Sequence, residues 1–95
     1  MRRRLRVVVR GIVQGVGFRP FVYSLARRHG LSGFVLNDTQ GVLIEVEGGE
    51  EALEGFLSDL RAKHPPLAEI ESIEATEVSP LGERSFRILE SKGGE

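Results

Sequence analysis

From Leu5 to Val13 the chain is β-branched and alternating, yet by Pro20 it has turned helical, with only a glycine-rich loop to make the change. Leu5, Val7, Val9 and Val13 share one face, the pattern of a half-buried strand. Gln14-Gly15-Val16-Gly17-Phe18-Arg19 breaks that alternation. Pro20 suits the first position of a helix, where its missing N–H costs nothing. Phe21, Val22, Leu25, Ala26 and His29 then follow at helical spacing, and Gly30 stands where a helix stops. A strand that feeds straight into a helix cannot hairpin onto the next strand. It must cross over the sheet, and this restricts the fold more than any other feature.

The remaining segments complete the pattern. Leu31 to Leu36 reads as a second strand ending at Asn37, and Asn37-Asp38-Thr39-Gln40-Gly41 as a turn. Val42, Ile44 and Val46 alternate with Leu43, Glu45 and Glu47 in a third strand, hairpinned to the second. Gly48-Gly49 opens a second helix with Glu50 and Glu51 in its first turn, where the helix dipole favours acids. Leu53, Phe56, Leu57 and Leu60 form its buried stripe, and Lys63-His64-Pro65-Pro66 ends it. Residues 70–78 read as a fourth strand, 85–89 as a final edge strand and 91–95 as a polar tail. This order predicts an α+β, ferredoxin-like split βαβ sandwich, with an antiparallel sheet and both helices on one face. One domain over residues 1–95 is expected, its core spanning about 5–90. Phe21, Phe34, Phe56 and Phe86 are expected in the core, with Phe18 propping the loop.

Composition narrows the chemistry. The chain has no cysteine, which removes disulfides, thiol nucleophiles and cysteine-based zinc sites. His29 and His64 lie far apart with no second ligand at metal spacing, so neither metal nor cofactor is expected. Arg2-Arg3-Arg4 precedes an apolar run broken by Arg10 and Gly11, too early for a signal peptide, and a cytoplasmic location is expected. Residues 1–30 hold eight arginines and no acid. That imbalance suits an anion or a nucleic acid, or reflects exposed arginines flanking a strand. RNA binders of this topology stack bases on strand aromatics. Neither the first strand nor Val42 to Glu47 carries one, so no nucleic acid and no membrane is expected as a partner.

The informative stretch is Gly11-Ile12-Val13-Gln14-Gly15-Val16-Gly17-Phe18-Arg19-Pro20. A strand, a glycine-rich loop and a helix N-terminus in succession leave backbone N–H groups convergent beside the positive end of a helix dipole. Gln14, Gly15, Val16, Gly17, Phe18 and Arg19 would then form an anion cradle, and the planar fork of Arg19 matches two phosphate oxygens. The alternative is a plain tight turn with a solvated arginine. The loop is neither a Walker motif nor a dinucleotide fingerprint, for Pro20 stands where the third glycine belongs. If the third strand lies between the first and second, Asn37 comes near this loop, and its carboxamide can accept from a water while donating to a phosphate. Asparagine before a turn is also commonplace.

Three blocks then carry a resemblance. Residues 13–19, with Gly30-Leu31-Ser32-Gly33-Phe34-Val35-Leu36-Asn37 and Gly41-Val42-Leu43-Ile44-Glu45-Val46-Glu47-Gly48, resemble the acylphosphatase family over about residues 5–90. The resemblance implies metal-free hydrolysis of the carboxyl–phosphate bond of small acyl phosphates. It assigns the phosphoryl group to the loop amides and Arg19, and the water to Asn37. Arg19-Pro20-Phe21-Val22 and Pro65-Pro66-Leu67-Ala68-Glu69-Ile70 are similar to the N-terminal domain of the hydrogenase-maturation carbamoyltransferase. That likeness implies carbamoyl phosphate as substrate, or a binding module serving downstream domains of a larger enzyme. Those domains would lie beyond Glu95, so an excised domain or a free-standing relative is expected. Two departures stand out: Gln40 replaces the usual aspartate before the turn glycine, and Asp38 follows Asn37 directly. A carboxylate pointing into the site would repel substrate.

Overall fold

The computed structural model describes residues 1–90, and the tail expected at 91–95 lies outside them. Strand β1 (Arg2–Ile12), helix α1 (Phe18–Arg28), β2 (Ser32–Asp38), β3 (Gly41–Gly49), helix α2 (Glu50–Ala62), β4 (Glu69–Val78) and β5 (Phe86–Ile88) follow in the expected order. They build one sheet in the order β4-β1-β3-β2-β5. Helix α1 carries the chain across the position that β3 later fills, and α2 carries it across β1, which is the ferredoxin-like arrangement. Pro20 is the third residue of α1 rather than the first. It remains among the first N–H positions that have no intrahelical partner. At the other end Leu31 N–H donates to the Ala26 carbonyl (2.9 Å) and Gly30 N–H to that of Arg27 (3.0 Å), a Schellman closure.

One face of the sheet holds the apolar core. Val7, Val9, Val35, Val42, Ile44 and Val46 meet Phe18, Val22 and Leu25 from α1 and Leu53, Phe56 and Leu60 from α2. Removing such a fully buried ring as Phe56 costs about 3–5 kcal/mol. The helices also touch through polar groups, with His29 Nε2 lying 2.9 Å from Asp59 Oδ2.

Three expectations are corrected on the opposite face. The sheet is mixed, because β5 runs parallel to β2, with Ile88 beside Val35. β4 ends at one edge of the sheet and β5 begins at the other, so the connection crosses the helix-free face at the end where β2 starts. β5 can then only run in the direction of β2. Phe34 faces this side and is half-buried, with the Arg4 guanidinium 5.9 Å from its ring centre. Arg4, for which the sequence leaves open both an anion or nucleic-acid contact and an exposed flanking position, is wholly buried. Its Nε donates to Glu45 (2.7 Å), and its Nη1 to Glu47 (3.0 Å) and Glu83 (3.1 Å).

Glu47 holds the crossing segment itself, accepting from the N–H groups of Leu81 (2.8 Å) and Gly82 (3.0 Å). Burial alone would raise this carboxyl. The Leu81 N–H, the Arg4 guanidinium, the Gly82 N–H and the Arg2 guanidinium reverse that and hold it at about 2. The basic N-terminal stretch is neutralised along its length. Arg2 pairs with Glu47, Arg3 with Glu77, Arg6 with Glu45 and Arg10 with Glu74. Five of the eight arginines behind the charge asymmetry, those of β1, are therefore engaged in ion pairs within the fold.

Candidate functional site

Gly15 and Gly17 adopt φ of +75° and +80°, in the left-handed region that disfavours every residue with a Cβ. A Cβ at either position would meet nothing within 4 Å. Glycine is required here for backbone shape and not for room. Between them Val16 packs against the core, and Phe18 is buried with its ring 5.6 Å from that of Phe21. With these side chains drawn inward, the backbone of the loop is left facing outward.

Gly17 caps α1 without a side-chain hydrogen bond, and the first turn of the helix contains no acid. Among the described residues, the N–H groups of residues 14–17 donate to no other backbone group. Those of Phe18 and Arg19, in the first turn, lack intrahelical partners by geometry. Helix α2 is the contrast, with Glu50 and Glu51 filling its first turn. Neither helix has a side-chain cap, and α1 alone of the two has a first turn without an acid to offset its dipole.

Arg19 lies in the first turn of α1 and Asn37 near the end of β2. Arg19 is half-buried, and its Nη1 donates to the Leu89 carbonyl at 3.2 Å. The Leu89 N–H in turn donates to the Val35 carbonyl at 2.8 Å, beside the end of β2 that carries Asn37. Asn37 pairs with Val42, which places its side chain on the helix-bearing face. Its Oδ1 is buried and has no hydrogen-bond partner. A buried acceptor without a donor is uncommon, and such a group is ready for a water or ligand.

Both departures in the turn are engaged in hydrogen bonds of their own. Asp38 faces the other side of the sheet from Asn37, and its Oδ1 accepts from Thr39 N–H at 2.6 Å. Gln40 Oε1 accepts from Arg10 Nη2 at 2.7 Å. Gln14 holds a feature the sequence reading missed. Its backbone lies in the loop, but its side-chain Nε2 donates to the carbonyls of Asp38 (2.7 Å) and Gly41 (2.8 Å). A cleft of about 300 Å³ lies here, lined by Ile12, Gln14, Thr39 and Gln40 among others. The larger cavity, of about 560 Å³, lies between the end of α2 and β4 and touches none of these residues. Among the described residues no group of three or more His, Asp or Glu could hold a metal ion, and no helix is long and apolar enough to cross a membrane.

Comparison with known proteins agrees with this fold. The family model described as Acylphosphatase matches residues 5–88. The carbamoyltransferase HypF of Rhizobium leguminosarum bv. viciae is 59% identical over 92 residues, which is 97% of this chain and 12% of that protein. The acylphosphatase of Thermotoga maritima is 42% identical over 87 residues, covering 90% of this chain and 96% of that protein. Among solved structures, full-length HypF in a phosphate- and nucleotide-bound form superposes with a TM-score of 0.94 at 38% identity, over 99% of this chain and 13% of that one. The acylphosphatase of Bacillus subtilis superposes with a TM-score of 0.86, also at 38% identity, over 94% and 99% of the two chains. This chain thus spans about an eighth of the carbamoyltransferases it matches and nearly the whole of the acylphosphatases.

Proposed function

The chain belongs to the acylphosphatase family, and from that premise we propose that it hydrolyses the carboxyl–phosphate bond of small acyl phosphates, carbamoyl phosphate foremost. The observation that carries the reading is the run of N–H groups over residues 14–19 without backbone partners, at the uncapped start of α1 that also carries Arg19. The phosphoryl oxygens would take those amides and the Arg19 fork. A water hydrogen-bonded to the free Oδ1 of Asn37 would stand ready to attack phosphorus. As the new O–P bond forms, the bridging P–O bond breaks and the carboxylate or carbamate leaves. The water's proton passes to a phosphoryl oxygen, so no protein base is needed. The leaving group is stable and the phosphoryl transition state is loose, so positioning and charge neutralisation suffice. The positive charge that a metal would supply comes here from arginine and amides.

A second reading rests on the carbamoyltransferase relatives, of which the chain matches only a small part. There the same site would bind carbamoyl phosphate, or pass its product to neighbouring domains, without turning over alone. Incubating the isolated chain with acetyl phosphate and with carbamoyl phosphate, and measuring inorganic phosphate, separates the two. Release above the spontaneous rate, inhibited by added phosphate, supports the hydrolase. Phosphate binding without release supports the binding module.

A further inference from the structure

We infer that the Gln14 side chain is a positioning residue that locks the β2–β3 hairpin, and with it Asn37, to the phosphate-binding loop. The inference rests on the phosphate-site reading above and concerns what aligns its two halves. The loop of residues 14–19 and the hairpin belong to different parts of the chain. The loop leaves the end of β1, whereas Asn37 rides on β2, separated from β1 by β3. Sheet pairing alone joins them only through β3.

Gln14 supplies a direct link. Its Nε2 carries two hydrogens, and two carbonyls receive them, those of Asp38 at 2.7 Å and Gly41 at 2.8 Å. Asp38 and Gly41 are paired partners in the ladder and flank the two-residue turn Thr39-Gln40. One amide therefore grips both strands of the hairpin at its tip, next in sequence to Asn37. An ester or acid cannot do this, since the site requires two donors on one atom. The main chain of Gln14 meanwhile opens the loop proposed to hold the phosphate, and its N–H donates to no other backbone group. Displacing the water-holding group relative to the phosphate by about 1 Å is enough to cost roughly 10²-fold in rate.

The test is Gln14→Met, which keeps length and removes both donors, alone and combined with Asn37→Ala. In the single variant kcat should fall at least tenfold while inhibition by inorganic phosphate changes less than twofold. In the Asn37→Ala background the same change should cost little, because the group it positions is gone. Independent costs that multiply, or a phosphate inhibition weakened as much as kcat, would overturn the inference. A readout free of turnover distinguishes this from failure of the hydrolase reading. In the wild-type chain, phosphate titrated onto the loop should shift the amide resonances of residues 38–42. In Gln14→Met those shifts should vanish while the loop shifts persist. Hairpin shifts that survive the substitution would defeat the coupling even if the wild type hydrolyses acyl phosphates. Their loss would uphold it even in a chain with no turnover.

Discussion

Arg19 Nη1 donates to the main-chain carbonyl of Leu89 at 3.2 Å, so the guanidinium proposed to grip phosphate is held from behind by the residue that follows β5. Its remaining donors stay available to an anion. Arg19→Ala should weaken phosphate binding and turnover together, since the contact would exist before and during reaction. Arg19→Lys should be nearly as poor, because a point charge cannot reach the carbonyl and two phosphate oxygens at once. Calorimetric phosphate titration beside steady-state kinetics checks both, and full activity in the lysine variant would count against the assignment.

Asn37→Ala should behave differently. Loss of a single transition-state hydrogen bond typically lowers kcat by about 10²–10³-fold, with inhibition by phosphate nearly unchanged. Thermal stability should hold or rise slightly, because Oδ1 has no partner to lose. A variant that loses phosphate binding as thoroughly as Arg19→Ala would show that the two roles are misassigned.

Gly15→Ala and Gly17→Ala test the shape of the loop. Left-handed backbone costs a residue with a Cβ roughly 1–2 kcal/mol, and no neighbouring atom offsets or worsens that. An exposed loop relaxes rather than carry such strain, so the N–H groups should turn away from the anion. The expected outcome is loss of the stabilisation that added phosphate gives in thermal unfolding, with the unliganded midpoint moving only a few degrees. Retained phosphate stabilisation in both variants would refute the loop as the cradle.

Hydrolysis, where present, should survive chelators. Among the described residues no cluster of metal-binding side chains exists, and in the proposed mechanism Arg19 with the loop amides supplies the charge. Assay of acetyl phosphate with and without a strong chelator decides this. Activity abolished by chelator and restored by magnesium would require a different mechanism.

The acid limit of stability should lie with Glu47. Its carboxyl is held at about 2 in the fold against an ordinary 4.5. A depressed folded value gives stability that is complete above 4.5 and is lost as pH falls toward 2. The linkage amounts to on the order of 3 kcal/mol. Glu47→Gln should be less stable at pH 7 by about 3–5 kcal/mol, since it strips a partner from the buried Arg4. It should also lose less on acidification than the wild type. Denaturant unfolding at several pH values checks this, and parallel decline of both proteins between pH 4.5 and 2.5 would exclude Glu47 as the source.

What was legible in the sequence was local. The alternation of Val7 and Val9, the helical spacing of Val22, Leu25 and Ala26 and the stop at Gly30 each follow from one element's own geometry, and all stand. The glycine-rich loop was legible for the same reason. Arg4 was misjudged because its burial depends on Glu45, Glu47 and Glu83, which no local window contains. The direction of β5 depended on which edge β4 occupies. Nothing in the sequence marks the Leu89 carbonyl, since every residue has one. The side-chain role of Gln14 appears only once the hairpin tip is in place beside it.

The parallel pairing of β5 with β2 also decides where the polypeptide enters and departs. β1, β2 and β5 all run in one sense, so the chain comes in at one rim of a body 34 Å long and goes out at the other. An antiparallel last strand would have returned both ends to the entry rim. Instead the outgoing backbone passes Arg19 at Leu89. The last described strand thus delivers the backbone to the side of the helix that carries the glycine-rich loop.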